Sequence, residues 1–174
     1  TALGSQLLFL TGRSPGGVNL WRSNGSSAGT ALVKELPNGS IGAADIVRAA
    51  SGSRAYVRVA DELWRTNGTA SGTVLVNALG GTSSIADLQA TTGVNVLGGY
   101  DAGLGEEPFH SDGTFAGTIP LGDLNQGQGN ADPHTLIAVG DRMTFNPTAS
   151  DVDPASAFST LGNAATTAAY FTEP

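Results

Sequence analysis

Apolar and polar residues alternate over short stretches of this chain, with the period of two that is typical of β-strands. Within Arg54–Ala60 the apolar residues Ala55, Val57 and Val59 fall on one face. Three neighbouring segments are also short and apolar-rich and are predicted as strands: Ala44–Ala50, Glu62–Thr66 and Thr73–Leu79. The pattern therefore predicts four short strands that follow one another along the chain.

A phrase of nine residues, which runs from an aromatic residue to a second glycine, occurs three times and is followed each time by threonine. The three copies begin at Trp21, Trp64 and Phe109. Their central glycines are 43 and then 45 residues apart. A repeat with this period predicts that the chain is built from copies of one supersecondary unit.

An Asn or Asp precedes the central glycine of every copy. The three pairs are Asn24-Gly25, Asn67-Gly68 and Asp112-Gly113. Asn-Gly is a strong signal for a tight hairpin, because both residues tolerate positive φ. We therefore interpret these six residues as structural repeat turns. The alternative is one oxygen ligand for Ca²⁺ in each unit, although only Asp112 is a carboxylate.

The repeat period and the strand pattern together predict an all-β fold, a β-propeller. Each of about four blades would be a four-stranded antiparallel meander, and stacked blades would bury faces that one blade leaves open. A degenerate fourth copy of the phrase contains Phe158. The four units span residues 1–37, 38–80, 81–125 and 126–174. The first unit starts about one strand late, so its blade is expected to lack about one strand. The chain is then a compact four-blade propeller or a segment of a larger one.

Four aromatic residues share one strand phase across the units. They are Trp21, Trp64, Phe109 and Phe158. Repeated aromatic residues in one phase are interpreted as packing between blades. The alternative is a ring of aromatic platforms for sugars.

The repeat phrase also resembles that of a known family. Glu62–Thr69 reads Glu-Leu-Trp-Arg-Thr-Asn-Gly-Thr and resembles the bacterial ELWxxDGT repeat, with Asn67 in place of Asp. Segments 20–26 and 108–114 match more loosely, and Gly29–Lys34 is similar to the stretch that follows in the family. The resemblance implies propeller-like blades, an extracytoplasmic setting (secreted, cell surface or periplasmic) and no catalytic residues.

Composition excludes several classes of function. The chain has a net charge of −7 and no basic run, so it is not expected to bind nucleic acid. It contains no cysteine for disulfide or thiol chemistry. No apolar run approaches the roughly 18 residues of a membrane span, so membrane insertion is not expected. Because the first residue is Thr, we expect a processed or excerpted product.

Two groups of acidic residues lie outside the repeated phrase. Asp151 and Asp153, in an insertion of the fourth unit, place two carboxylates on one side of an extended loop. They are candidate Ca²⁺ ligands, and the alternative is a solvated loop. Asp101, Glu106 and Glu107 are predicted to form an acidic binding loop in the third unit.

The two histidines, His110 and His134, have no evident third ligand for zinc, and nothing marks a nucleophile. We therefore expect a non-catalytic exported module that acts as a structural or protein-interaction subunit, bound to a protein partner or to its own copies. The alternatives are a carbohydrate-binding module that uses loop carboxylates and aromatic residues, with Ca²⁺ as an optional ligand, and a hydrolase that uses acidic loop residues. No other cofactor is expected.

Overall fold

The computed structural model describes residues 1–48, 54–79, 88–90, 95–139, 142–146, 157–160 and 168–171. Regular structure in these ranges consists of β-strands and one short 3-10 turn, Ile41–Ala43. The described part is therefore all-β, as the alternation predicts. None of its segments forms a helix of the length and hydropathy that a membrane crossing requires.

The strands form four antiparallel sheets of four strands each, and every sheet pairs its strands in chain order. The first sheet contains β1 (Ala2–Leu3), β2 (Gln6–Gly12), β3 (Val18–Ser23) and β4 (Ala31–Leu36). The second contains β5 (Ala44–Arg48), β6 (Ala55–Val59), β7 (Glu62–Thr66) and β8 (Val74–Ala78). The third contains β9 (Leu88–Ala90), β10 (Asn95–Asp101), β11 (Gly105–Ser111) and β12 (Thr118–Pro120). The fourth contains β13 (His134–Val139), β14 (Arg142–Asn146), β15 (Ala157–Thr160) and β16 (Ala168–Phe171).

The first sheet corrects one expectation. Its first strand is not missing, because Ala2–Leu3 pairs with β2 through Ala2 opposite Leu7 and Leu3 opposite Gln6. This strand has only two residues, whereas its counterpart in the second sheet, β5, has five. The degenerate fourth copy also forms a complete four-stranded meander, although it has no glycine at the second glycine position of the phrase.

Three hydrophobic cores join the sheets in chain order. The core between the first and second sheets contains Leu3, Leu8, Val18, Leu20, Val33, Leu36, Ala55, Val57, Val59 and Trp64. The core between the second and third sheets contains Tyr56, Leu63, Val76, Leu79, Leu97 and Phe109. The core between the third and fourth sheets contains Val96, Leu121, Leu136, Met143 and Phe145. Among the described residues no such core joins the fourth sheet to the first.

Each sheet has two faces with different roles. We call the face that carries the aromatic residue of the phrase the leading face, and the opposite one the trailing face. Trp64 and its cross-strand partner Val57 lie on the leading face of the second sheet and pack against the trailing face of the first. Tyr56 and Leu63 lie on the trailing face and pack against the third sheet.

This stacking buries β6 on both faces. Ala55, Tyr56, Val57 and Val59 of this strand are all buried, so the strand is not half-buried as its alternation suggested. A sheet that lies between two others has no solvent-facing side, and apolar residues then occupy both phases.

Candidate functional site

The repeated Asn or Asp side chain organises the loop that follows the third strand of each sheet. In the second sheet Asn67 Oδ1 accepts hydrogen bonds from the Thr69 amide at 3.0 Å and the Thr69 hydroxyl at 2.7 Å. The Thr69 hydroxyl oxygen accepts in turn from the Gly72 amide at 3.0 Å. Asn24 and Asp112 form the same network in the first and third sheets.

These loops are not the tight two-residue hairpins that Asn-Gly predicts. The connection from β7 to β8 runs from Asn67 to Thr73, and only the glycine of the pair has positive φ, at 83° for Gly68. The same holds at Gly25 and Gly113. The prediction of left-handed backbone at the preceding Asn or Asp is therefore wrong. A side-chain oxygen that accepts from the chain two residues later replaces the hairpin hydrogen bond.

The second glycine of the phrase has a steric reason. A Cβ atom at Gly72 would clash with the side chain of Asn67. The pairs Gly29 with Asn24 and Gly117 with Asp112 show the same relation. The phrase therefore requires glycine here so that the Asn or Asp side chain can fold over the loop.

A pair of hydroxyl groups closes each loop, and the sequence analysis missed it. Thr66 Oγ1 lies 2.7 Å from Thr73 Oγ1, and the Gly68 amide donates to Thr66 Oγ1 at 3.0 Å. Because the Thr73 hydroxyl donates to the Thr69 carbonyl, Thr66 donates the hydrogen that joins the two hydroxyls. The sequence does contain a signal for this pair. A Ser or Thr stands two residues before each central glycine, and a Thr follows each copy of the phrase.

The repeated loops thus use their polar atoms internally. Hydrogen bonds from Thr114 hold the pKa of the Asp112 carboxyl below its ordinary value. In the part of the chain that the structure describes, no group of three His, Cys, Asp or Glu side chains is arranged to hold a metal ion. Asp151 and Asp153 lie outside the described residues.

The acidic binding loop predicted in the third unit is not a loop. Glu106 and Glu107 lie in β11 and are both buried, and Asp101 ends β10. Asp101 Oδ1 accepts from the amides of Gly103 at 2.7 Å and Leu104 at 3.2 Å, which forms the turn to β11. The three carboxylates do not form one surface site.

Glu107 instead binds the backbone of the segment that follows β12. Its side chain has no exposed surface, and its two oxygens accept from the amides of Leu124 at 3.0 Å and Asn125 at 3.2 Å. Burial raises the pKa of this carboxyl to about 7, against the lowering effect of the two amides. Burial and the nearby Asp132 charge also raise the pKa of Glu106. Glu107 is therefore a structural group of the third sheet, and Glu106 is buried next to it in the same strand.

The histidines do not form a site among the described groups. Burial lowers the pKa of the half-buried His110, against the effect of the Asp112 charge. His110 Nδ1 is buried and has no hydrogen-bond partner in the described part of the chain. The side chain of His134 lies outside the described groups.

Two clefts in the described structure are candidate sites for a small ligand. A cleft of about 130 Å³ is lined by Arg54, Arg65, Asn67 and neighbouring residues. Small-molecule sites typically occupy about 300–1,000 Å³, so it is small for one. A wider cleft of about 330 Å³ follows the Arg13–Gly17 loop, where Arg13 forms a salt bridge with Glu35 at 3.1 Å. Neither lining contains an acid and base pair.

The aromatic residues of the phrase differ in what covers them. Trp64 is buried in the core between the first and second sheets, and Phe109 in the core between the second and third. Phe158 packs against the core between the third and fourth sheets, and its ring stacks on that of Phe145 with centroids 5.8 Å apart. Trp21 departs from the predicted packing between blades. It lies on the leading face of the first sheet, is only partly buried, and stacks on Phe9.

The leading face of the first sheet is therefore the most distinctive surface of the described structure. Leu7 of this face is 52% exposed, whereas the residue at the same register position in the second sheet, Ala55, is fully buried.

A comparison with models of known protein families finds no match, and a comparison with curated proteins also finds none.

Proposed function

We propose that this chain is a non-catalytic β-propeller segment that acts as a structural or protein-interaction subunit of a larger assembly. One observation carries the proposal: the first sheet leaves open the face that each of the following sheets buries against its predecessor. An apolar sheet face of this kind is a feature of surfaces that bind other proteins.

The propeller interpretation is supported by the order of the sheets. Four-stranded meanders that stack face to face in chain order are the blades of this architecture. The cores run from the first sheet to the fourth, and the described residues form no core that returns to the first. This favours a segment of a larger ring over a closed four-blade propeller. The resemblance to the ELWxxDGT repeat supports both the blade interpretation and an extracytoplasmic location.

A structural role also accounts for the residues that first suggested chemistry. Asn24, Asn67 and Asp112 are engaged in their loops, and Glu107 holds a backbone segment. A sugar-binding ring would need exposed aromatic platforms at the repeated position, yet Trp64 and Phe109 are buried. We therefore favour protein binding over carbohydrate binding, with Ca²⁺ not required.

The test combines a binding screen with a measurement of mass. The purified chain is applied to a glycan array and to a panel of glycosidase substrates, with and without Ca²⁺, and its mass is followed by light scattering over a range of concentrations. We expect no glycan signal, no turnover and a mass above that of the monomer. Specific glycan binding or turnover by a monomeric chain would contradict the proposal.

A further inference from the structure

The leading face of the first sheet resembles an interface between two sheets, but no sheet of the described ranges packs against it. Its residues are Leu7, Phe9, Thr11 and Trp21. In the second sheet the same register positions are Ala55, Val57, Val59 and Trp64, and all four are buried against the first sheet. We propose that this face binds the trailing face of the fourth sheet of a second copy, so that copies associate head to tail. The inference rests on the proposed function and names its partner.

The open face is organised for burial before any partner arrives. The rings of Phe9 and Trp21 are stacked, with centroids 6.3 Å apart and an angle of 10° between their planes. The Trp21 indole N–H donates to Thr11 Oγ1 at 3.0 Å. The corresponding indole of Trp64 donates to Glu62 within its own sheet, and that ring is buried. Covering Trp21 would therefore leave no unpaired donor, which is the usual cost of burying an indole.

The two central strands of the face, β2 and β3, carry no charged side chain on it. Two residues before the aromatic residue of the phrase, the leading faces of the second and third sheets carry a buried glutamate, Glu62 and Glu107. Each of these carboxylates accepts hydrogen bonds. The first sheet carries the neutral Asn19 there. The charges that a docking sheet must accommodate are those of Glu35 and Arg142. Glu35 of β4 lies opposite Asn19 and pairs with Arg13. Arg142 of the docking face lies opposite Val139.

The stacking order identifies the occupant. Each internal core joins a leading face to the trailing face of the preceding sheet. Within the described residues, the fourth sheet has the trailing face that no following sheet covers. Ile137 and Val139 lie on this face and are 53% and 57% exposed, while Met143 and Phe145 point into the third core. A second copy presents this face, and it continues an interface type that the chain already uses three times.

Such a contact is heterologous, because the two surfaces differ. In the described part of each copy one leading and one trailing face are uncovered, so association produces a closed ring or an open line of copies. This predicts a behaviour that a symmetric dimer cannot show. Blocking the leading face in one protein and the trailing face in another must leave one usable pair of faces when the two are mixed.

The experiment uses Leu7→Lys, Val139→Lys and a control, Phe115→Lys. All three sites are exposed, and Phe115 is 74% exposed in a repeat loop away from both faces. We expect the mass of the wild-type chain and the control to rise with concentration. Each face variant should remain monomeric, with an apparent Kd raised roughly tenfold or more. An equimolar mixture of the two face variants should form a heterodimer that does not grow further.

Fluorescence gives a second, independent readout. The chain contains two tryptophans, so Trp64→Phe leaves Trp21 as the only one. We expect its emission to shift to shorter wavelength and its quenching by acrylamide to fall as the concentration rises. Adding Val139→Lys to Trp64→Phe should remove both changes, because it blocks the partner face without altering the surroundings of Trp21.

Several results would overturn the inference. A chain that stays monomeric with Trp21 fully quenchable at every concentration has no such contact. An oligomer that survives both lysine substitutions uses another surface, which removes the head-to-tail contact but leaves the proposed function standing. A Val139→Lys variant that associates as the wild type does, while Leu7→Lys stays monomeric, indicates a symmetric contact between leading faces and overturns the head-to-tail contact.

Discussion

The buried carboxyl of Glu107 makes the stability of the chain depend on pH in a direction that is opposite to that of most acidic residues. The side chain has no exposed surface and contacts two backbone amides, those of Leu124 and Asn125. Amide donors favour the charged form, and burial disfavours it. Burial is the larger effect here and raises the pKa from its ordinary value of 4.5 to about 7.

The sign and size of the effect follow from this shift. The folded chain holds the Glu107 proton up to about pH 7, and the unfolded chain releases it near pH 4.5. The free energy of unfolding contributed by this group is therefore largest below pH 4.5 and falls as the pH rises toward 7. Each pKa unit corresponds to about 1.4 kcal/mol. The whole shift corresponds to roughly 3 kcal/mol.

The assay is urea unfolding of the wild type and Glu107→Gln, followed by tryptophan fluorescence from acidic to mildly basic pH. The variant is neutral throughout, so its stability relative to the wild type should rise by roughly 3 kcal/mol across the window. The other titratable groups are common to both proteins and cancel in the difference. Glu35→Gln is the matched control, because the Glu35 side chain is 55% exposed.

A relative stability that does not change with pH would refute the reasoning. A change of the opposite sign would show that the two amide donors outweigh the cost of burial. In that case the Glu107 carboxyl would be ionised in the folded chain and stabilised by the two amides, with a pKa below that of an exposed glutamate.

Three further substitutions test the roles of the repeated residues by urea unfolding. Trp64→Ala should cost about 3–5 kcal/mol as a large-to-small core change, whereas Trp21→Ala should cost less than half as much in the monomer; equal costs would contradict the difference in packing. Thr66→Val removes a buried hydroxyl that accepts from the loop and should cost about 1–3 kcal/mol, more than Ser23→Ala at the less buried end of β3. Gly113→Ala places a Cβ atom 2.7 Å from a tyrosine hydroxyl at a φ of 85°, and should cost at least about 1 kcal/mol; an unchanged midpoint would argue against that backbone.

Much of the strand structure could be predicted, because local alternation and a repeated phrase carry it. The third and fourth strands of the second sheet were placed within two residues of β7 and β8. The position of the loop between them followed from these strands, but its backbone conformation was wrong, because Asn67-Gly68 was interpreted from its own backbone preferences alone. The Asn67 side chain contacts Thr69, and this contact competes with the hairpin hydrogen bond.

Glu106 and Glu107 show why the candidate site was harder to predict. Adjacent glutamates are usually solvated, and nothing in their immediate neighbours indicates burial. Their environment is created by a segment some 17 residues away, whose amides lie against Glu107. Only the folded chain brings that segment and the strand together, so the acidic pair was predicted as a binding loop.

The sequence by itself determined the repeat: the period of its units, their strands, and the small and polar residues of their loops. These features depend on contacts within about ten residues, where backbone preferences and hydrogen bonds act directly. The tertiary structure decided which copies of one residue are buried and which are open. Trp21 and Trp64 occupy the same place in the phrase, but of the two, Trp64 alone packs against a neighbouring sheet among the described residues. Burial depends on neighbours that are distant along the chain, and a local pattern does not specify them.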